Sequence, residues 1–80
     1  MTLHIIYTES AVVLSKKDYA TWQNIQQDYP DYKASLGPWS DVAVAEYLDE
    51  EYPDIVPDAA KQIAELRNSS SLSLTVRFAS

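Results

Sequence analysis

Four prolines and a single glycine punctuate this chain of 80 residues, and they limit what can form between them. Proline lacks a backbone N–H and its ring clashes with the preceding helical turn, so no helix runs undisturbed through Pro30, Pro53 or Pro57. The segment Leu36-Gly37-Pro38-Trp39 makes a further break. One glycine leaves no material for a glycine-rich phosphate loop, and it disfavours a hairpin-rich all-β fold. Short helices fenced by the prolines, with strands toward the two ends of the chain, are what remain.

Hydrophobic spacing assigns the segments. Leu3 to Thr8 reads as a strand, and Ala11 to Leu14 as a second strand pairing back on it through Glu9-Ser10. Ser15, with Asp18 three residues later, predicts a helix start. Tyr19, Trp22, Ile25 and Tyr29 then recur at helical spacing, which predicts a helix over 16–29 ended by Pro30. Asp31 to Trp39 reads as a loop or a loose helical turn. Ser40 caps a helix expected over 41–52, with Val42, Ala45, Leu48 and Tyr52 as its apolar stripe. A third helix is expected over 57–67, with Pro57 at its first position, Asp58 near its positive end and Arg67 in its last turn. Leu72, Leu74, Val76 and Phe78 alternate with Ser73, Thr75 and Arg77, the clearest strand signal in the chain.

The expected order is β-β-α-α-α-β. This is an α+β fold: a small antiparallel three-stranded sheet with the helices packed on one face. The first strand belongs in the middle, because it is apolar on parts of both faces, with the last strand beside it. The expected core comprises Trp22, Ile25, Leu48, Ile63, Leu66, Leu74 and Val76. Trp22→Ala is then expected to cost about 3–5 kcal/mol.

The whole of 1–80 reads as one domain. A chain this short buries only about 60% of its unfolded surface, and with no cysteine it has neither disulfides nor thiolate–zinc sites to supplement its core. The 46% hydrophobic content must supply that core. The N-terminal Met1-Thr2-Leu3-His4-Ile5-Ile6 has no basic region, and its apolar run is too short for a signal peptide. A cytoplasmic location away from membranes is the expectation.

Little in the sequence carries reaction chemistry. His4 is the only histidine, without a second histidine or a cysteine to share a metal. Glu46, Asp49 and Glu50 lie at helical spacing and share a face, but the alternating acids and central glycine of a calcium loop are missing. Carboxylates on a solvated helix titrate near their reference values and make poor acid–base catalysts. The expectation is a protein that is not an enzyme and needs no metal or cofactor.

Charge is the informative property. From Asp28 to Asp58 the chain holds nine acids and one base, Lys33, a net of −8, whereas the whole molecule carries −6. Such a segment repels nucleic acid phosphates and anionic membranes. The acids are interleaved with Tyr29, Tyr32, Trp39, Tyr47 and Tyr52, and aromatics beside charge suit protein interfaces. Asp28-Tyr29-Pro30-Asp31 and Glu51-Tyr52-Pro53-Asp54 repeat one pattern 23 residues apart. It reads first as a shared helix stop, and less simply as a duplicated recognition element.

Two functions compete on these residues. The first is an inhibitor or decoy whose carboxylates occupy a basic, nucleic-acid-binding surface of a partner protein. Phage-encoded anti-CRISPR and anti-restriction proteins have this profile, an analogy of composition. The second is an interaction module (an adaptor, an antitoxin or immunity partner, or an assembly subunit) anchored by exposed aromatics. In either, the partner-binding residues are expected to be Glu46, Asp49, Glu50, Glu51 and Asp54, with Tyr47, Trp39 and Asp31. An edge strand offers a route to a homodimer.

Overall fold

A computed structural model describes residues 1–79. The first strand, β1 (Thr2–Thr8), is apolar on both sides because it is covered on both sides. It pairs antiparallel with β2 (Val12–Ser15), with Ile5 opposite Leu14 and Ile6 opposite Val13. Its other edge pairs antiparallel with β3 (Tyr32–Ser40). A short fourth strand, β4 (Ser73–Thr75), pairs with β2, which makes the sheet order β3-β1-β2-β4.

The sheet therefore has four strands rather than three. The segment expected to be a loop is β3, and it takes the place beside β1 that had been expected for the last strand. Two irregularities hide it from a period-2 reading. Between the pairs Leu3–Trp39 and Ile5–Leu36, Gly37 and Pro38 together lie opposite His4 alone. Lys33 likewise has no counterpart between the pairs Tyr7–Ala34 and Thr8–Tyr32. Each bulge resets the alternation of faces, so Leu36 and Trp39, three residues apart, both pack on the same core. Gly37 has a φ of +113°, and a Cβ there would meet the Leu3 carbonyl oxygen at 2.7 Å, so only glycine fits the bulge.

Two helices cover one face. Helix α2 (Asp41–Glu51) is capped by the Ser40 hydroxyl, which accepts from the Ala43 N–H, and turns Val44 and Leu48 inward. Val42, expected in the inner stripe, points to solvent. Helix α3 (Ala59–Asn68) is capped by Asp58, whose carboxylate accepts from the Lys61 N–H, so Pro57 precedes the helix rather than opening it. Leu3, Ile5, Leu14, Val44, Leu48, Ile63, Leu66 and Val76 make the main core between this pair and the sheet.

The remaining helix, α1 (Trp22–Asp28), packs on the opposite face over Ile6 and Val13 through Ile25. The expectation of all helices on one face is thus corrected. The helix is also shorter than its periodicity predicts, because residues 15–17 belong to the sheet and its surroundings. Lys16 N–H donates to the Leu72 carbonyl, continuing the β2–β4 ladder. The Lys16 ammonium caps the end of α3 by donating to the carbonyls of Leu66 and Ser69. Trp22, expected in the core, is 54% exposed and stacks on Tyr32 at 6.4 Å. Ile25, Leu48, Ile63, Leu66 and Val76 are buried as expected, and Leu74 is half-buried against the main core.

Gln62 locks the C-terminal segment. It is 0% exposed. Its amide nitrogen donates to the carbonyls of Pro57 and Arg77, and its oxygen accepts from the Arg77 N–H. Every partner is a backbone group, so one side chain ties α3 to the chain beyond β4. No helix among the described residues is long and apolar enough to cross a membrane.

Candidate functional site

The acids of the middle segment gather by topology. β3 runs away from the β1–β2 turn and α2 runs back, so the end of α2 returns to the level of Tyr7 and Thr8. Backbone bonds set this end of the molecule: Glu9 N–H donates to the Asp31 carbonyl, and Ala79 N–H donates to the Asp54 carbonyl. The Ser10 hydroxyl donates to the Asp31 carboxylate at 3.3 Å. Glu50 and Glu51 are exposed at the C-terminal end of α2, where the negative end of the helix dipole reinforces their field.

A cleft of about 370 Å³ opens at this pole, lined by Tyr7, Ser10, Val12, Tyr52, Asp54 and Phe78 among others. Its walls are aromatic and Asp54 is its one carboxylate. Tyr52 and Phe78 pack at 5.2 Å between ring centroids. The Tyr7 and Tyr47 hydroxyls are 2.9 Å apart. Burial pushes the Tyr7 phenol well above its ordinary range, and its bonds to Tyr47 and Tyr52 push the same way, so this phenol stays neutral at ordinary pH.

Ion pairing separates the acids further. Among the described residues Lys17 pairs with Asp28, Arg67 with Asp41, and Arg77 with Glu65. Lys17 and the Tyr19 hydroxyl hold Asp28 below the usual carboxylate range, and Arg67 does the same for Asp41. Among the described residues the other nine acids, Glu9, Asp31, Glu50, Glu51 and Asp54 of this pole included, are not in ion pairs.

The expected site residues fall into three groups. Asp31 and Asp54 lie at the Ser10 corner, and Glu50 and Glu51 are exposed at the end of α2. Glu46 is exposed farther up α2, and Asp49 accepts the Ala59 N–H at 3.3 Å, which gives it a structural task at the start of α3. Tyr47 lies in α2 as expected, whereas Trp39 is not in a loop. Trp39 lies in β3, both are half-buried against the main core, and their rings meet edge to face at 5.4 Å. Sequence reading missed Glu9, Tyr7 and Phe78 because they lie outside the acidic segment, and only the antiparallel return of β1 and the last segment carries them there.

The repeated tetrapeptides are the same device twice. Tyr29 and Tyr52 each end a helix with φ near −130°, donating to the carbonyl four residues back and accepting from the N–H three residues on. Each thereby delivers its following aspartate, Asp31 or Asp54, to the Ser10 corner. Among the described residues, no three His, Asp or Glu side chains converge to hold a metal ion. Compared with known proteins, the chain matches no protein-family profile, no curated protein and no solved structure.

Proposed function

We propose that this domain binds a protein partner through its acidic pole, docking on a basic, nucleic-acid-binding surface as an inhibitor or decoy. The observation that carries the reading is an aromatic-walled cleft with Asp54 in its lining, with Asp31 bonded to Ser10 beside it and Glu50 and Glu51 ending α2 just before Tyr52. Carboxylates at this pole would take the place of phosphates of the partner's natural ligand, and opposite fields speed encounter. The cleft suits a lysine or arginine side chain, whose apolar stem packs on Tyr52 and Phe78 while its charge meets Asp54.

The other reading, a module anchored by exposed aromatics, is favoured by one observation: Trp22 stands 54% exposed on the far side of the sheet. Charge reversal separates the two. Glu50→Lys, Glu51→Lys and Asp54→Lys leave the helix contacts intact, whereas Asp49 is spared because it bonds to Ala59. A partner captured from host lysate is titrated by calorimetry at about 50 and about 300 mM salt, which shortens the screening length from about 14 to about 6 Å. The triple variant is expected to lose binding, and the parent to weaken at least tenfold at the higher salt. Full binding by the triple variant overturns the decoy reading, and loss on Trp22→Ala instead puts the aromatic module in its place.

A further inference from the structure

The other face of the sheet holds a second concavity, of about 290 Å³, where α1 is too short to cover the strands. His4 lines it with Tyr19, Thr21, Trp22, Ser35 and Pro38. His4 is only 7% exposed, and among the described residues its side chain has no hydrogen-bond partner. Yet among the described residues no fully buried side-chain nitrogen or oxygen lacks a partner. A His4 ring nitrogen without a protein partner therefore keeps some accessible surface, and His4 lines the concavity. A largely buried polar group that opens onto a cavity takes its partner from what fills it, water or a ligand.

The backbone keeps this opening. The Gly37-Pro38 bulge lies opposite His4, and no side chain projects from Gly37 over it. Bulges of this kind occur beside functional sites, where they re-aim the neighbouring strand. On the remaining sides stand the Tyr19 ring, edge to face with His4 at 5.3 Å, and Trp22, held by its stack on Tyr32.

The lining restricts the occupant. No charged side chain lines the concavity, so neither an ion of either sign nor a phosphate is favoured there. Its hydroxyls are already engaged, that of Tyr19 with Asp28, that of Thr21 with Asn24 and that of Ser35 with Tyr32, which leaves the His4 nitrogens and the Trp22 indole N–H. A sugar, with hydroxyls all round, would find too few partners. What remains is an apolar, flat body with one or two polar atoms on its edge.

We propose that this concavity is a binding site for a neutral planar heteroaromatic ring of one or two fused rings, which hydrogen-bonds the His4 imidazole and packs against Trp22 and Tyr19. The site is independent of the acidic pole, since it lies on the opposite face of the sheet from α2. One donor–acceptor contact to a neutral imidazole and one aromatic wall are modest, so affinity is expected at about 0.1–5 mM for a ligand of about ten heavy atoms.

The test is an NMR titration of the 80-residue protein with indole and with adenine, and with methyl glucoside as the neutral sugar. Either heteroaromatic probe is expected to shift the Trp22 indole N–H and the His4 ring resonances saturably, and the sugar is expected to shift neither. His4→Phe keeps a planar ring and removes both nitrogens, and it is expected to weaken binding at least tenfold. Trp22→Ala, at an exposed position that leaves the core intact, is expected to weaken it similarly and serves if His4→Phe does not fold. The proposal is overturned by no saturable shift at about 10 mM of either probe, by the sugar binding more tightly, or by undiminished binding in the variants.

Discussion

At the scale of single residues, exposure reverses what periodicity suggests for Trp22. Trp22 shares a helical stripe with Ile25, yet α1 is anchored by Ile25 alone and Trp22 lies over the edge of the sheet against Tyr32. Trp22→Ala is therefore expected to cost about 1 kcal/mol, the scale of an exposed aromatic pair, and Ile25→Ala about 2–5 kcal/mol. Chemical denaturation of the two variants checks the order. His4 adds a pH dependence. Desolvation lowers its pKa from 6.5, and the nearby Asp18 only partly opposes this. Below pH 6.5 the unfolded chain therefore binds more protons than the folded one, so stability falls as pH drops from 6.5 toward the lower folded value. Above 6.5 the ring is neutral in both states and contributes no slope. A second loss is expected below about pH 3.8, where Asp28 and Asp41 release Lys17 and Arg67. Denaturation midpoints measured from pH 8 to 3 test this, and His4→Phe should remove the first step and keep the second.

At the scale of elements, the C-terminal segment holds by hydrogen bonds more than by strand length. β4 has three paired residues, and beyond it the chain is fastened by Val76 N–H to the Val12 carbonyl, by Gln62 to Arg77 and by the bridge of Ile55 with Phe78. Gln62→Ala removes three bonds and leaves backbone groups of Pro57 and Arg77 unpaired in a buried site. A cost of about 2–4 kcal/mol is expected, with the amides of Arg77 and Ala79 losing protection from hydrogen exchange before those of β1. Protection unchanged at Arg77 would show that the segment is held without this clasp. Helix α2 presents the opposite situation: it has no base in its last turn and its acids sit at the negative end of its dipole. Glu50→Lys and Glu51→Lys together are expected to leave stability unchanged or raise it by about 0.5 kcal/mol.

At the scale of the whole molecule, the sheet order sets two unlike surfaces. One pole carries carboxylates without counter-ions, and the face under α1 carries a neutral, aromatic-lined opening. The two respond to different conditions. Binding at the pole is expected to weaken steeply with salt, and binding at the His4 concavity to be insensitive to it, because no charged group lines it. Paired titrations at two ionic strengths distinguish the surfaces directly.

The sequence alone determined the elements whose signals are local. Prolines and capping residues placed α2 and α3, the alternation through Leu74 and Val76 marked the last strand, and the apolar faces of β1 placed it inside the sheet. The acidity of the middle segment was equally legible, as were Glu50, Glu51 and Asp54 as neighbours. Tertiary structure decided what local pattern does not encode. Two bulges broke the alternation of β3, and only pairing with β1 makes a strand of a segment containing Gly37-Pro38. Sheet order, in turn, chose which side α1 covers and left His4 open beneath it. Trp22 lost its expected burial for the same reason: burial depends on which surfaces meet across the sheet, and a side chain's spacing along its own element states only that it has a partner, not where that partner lies.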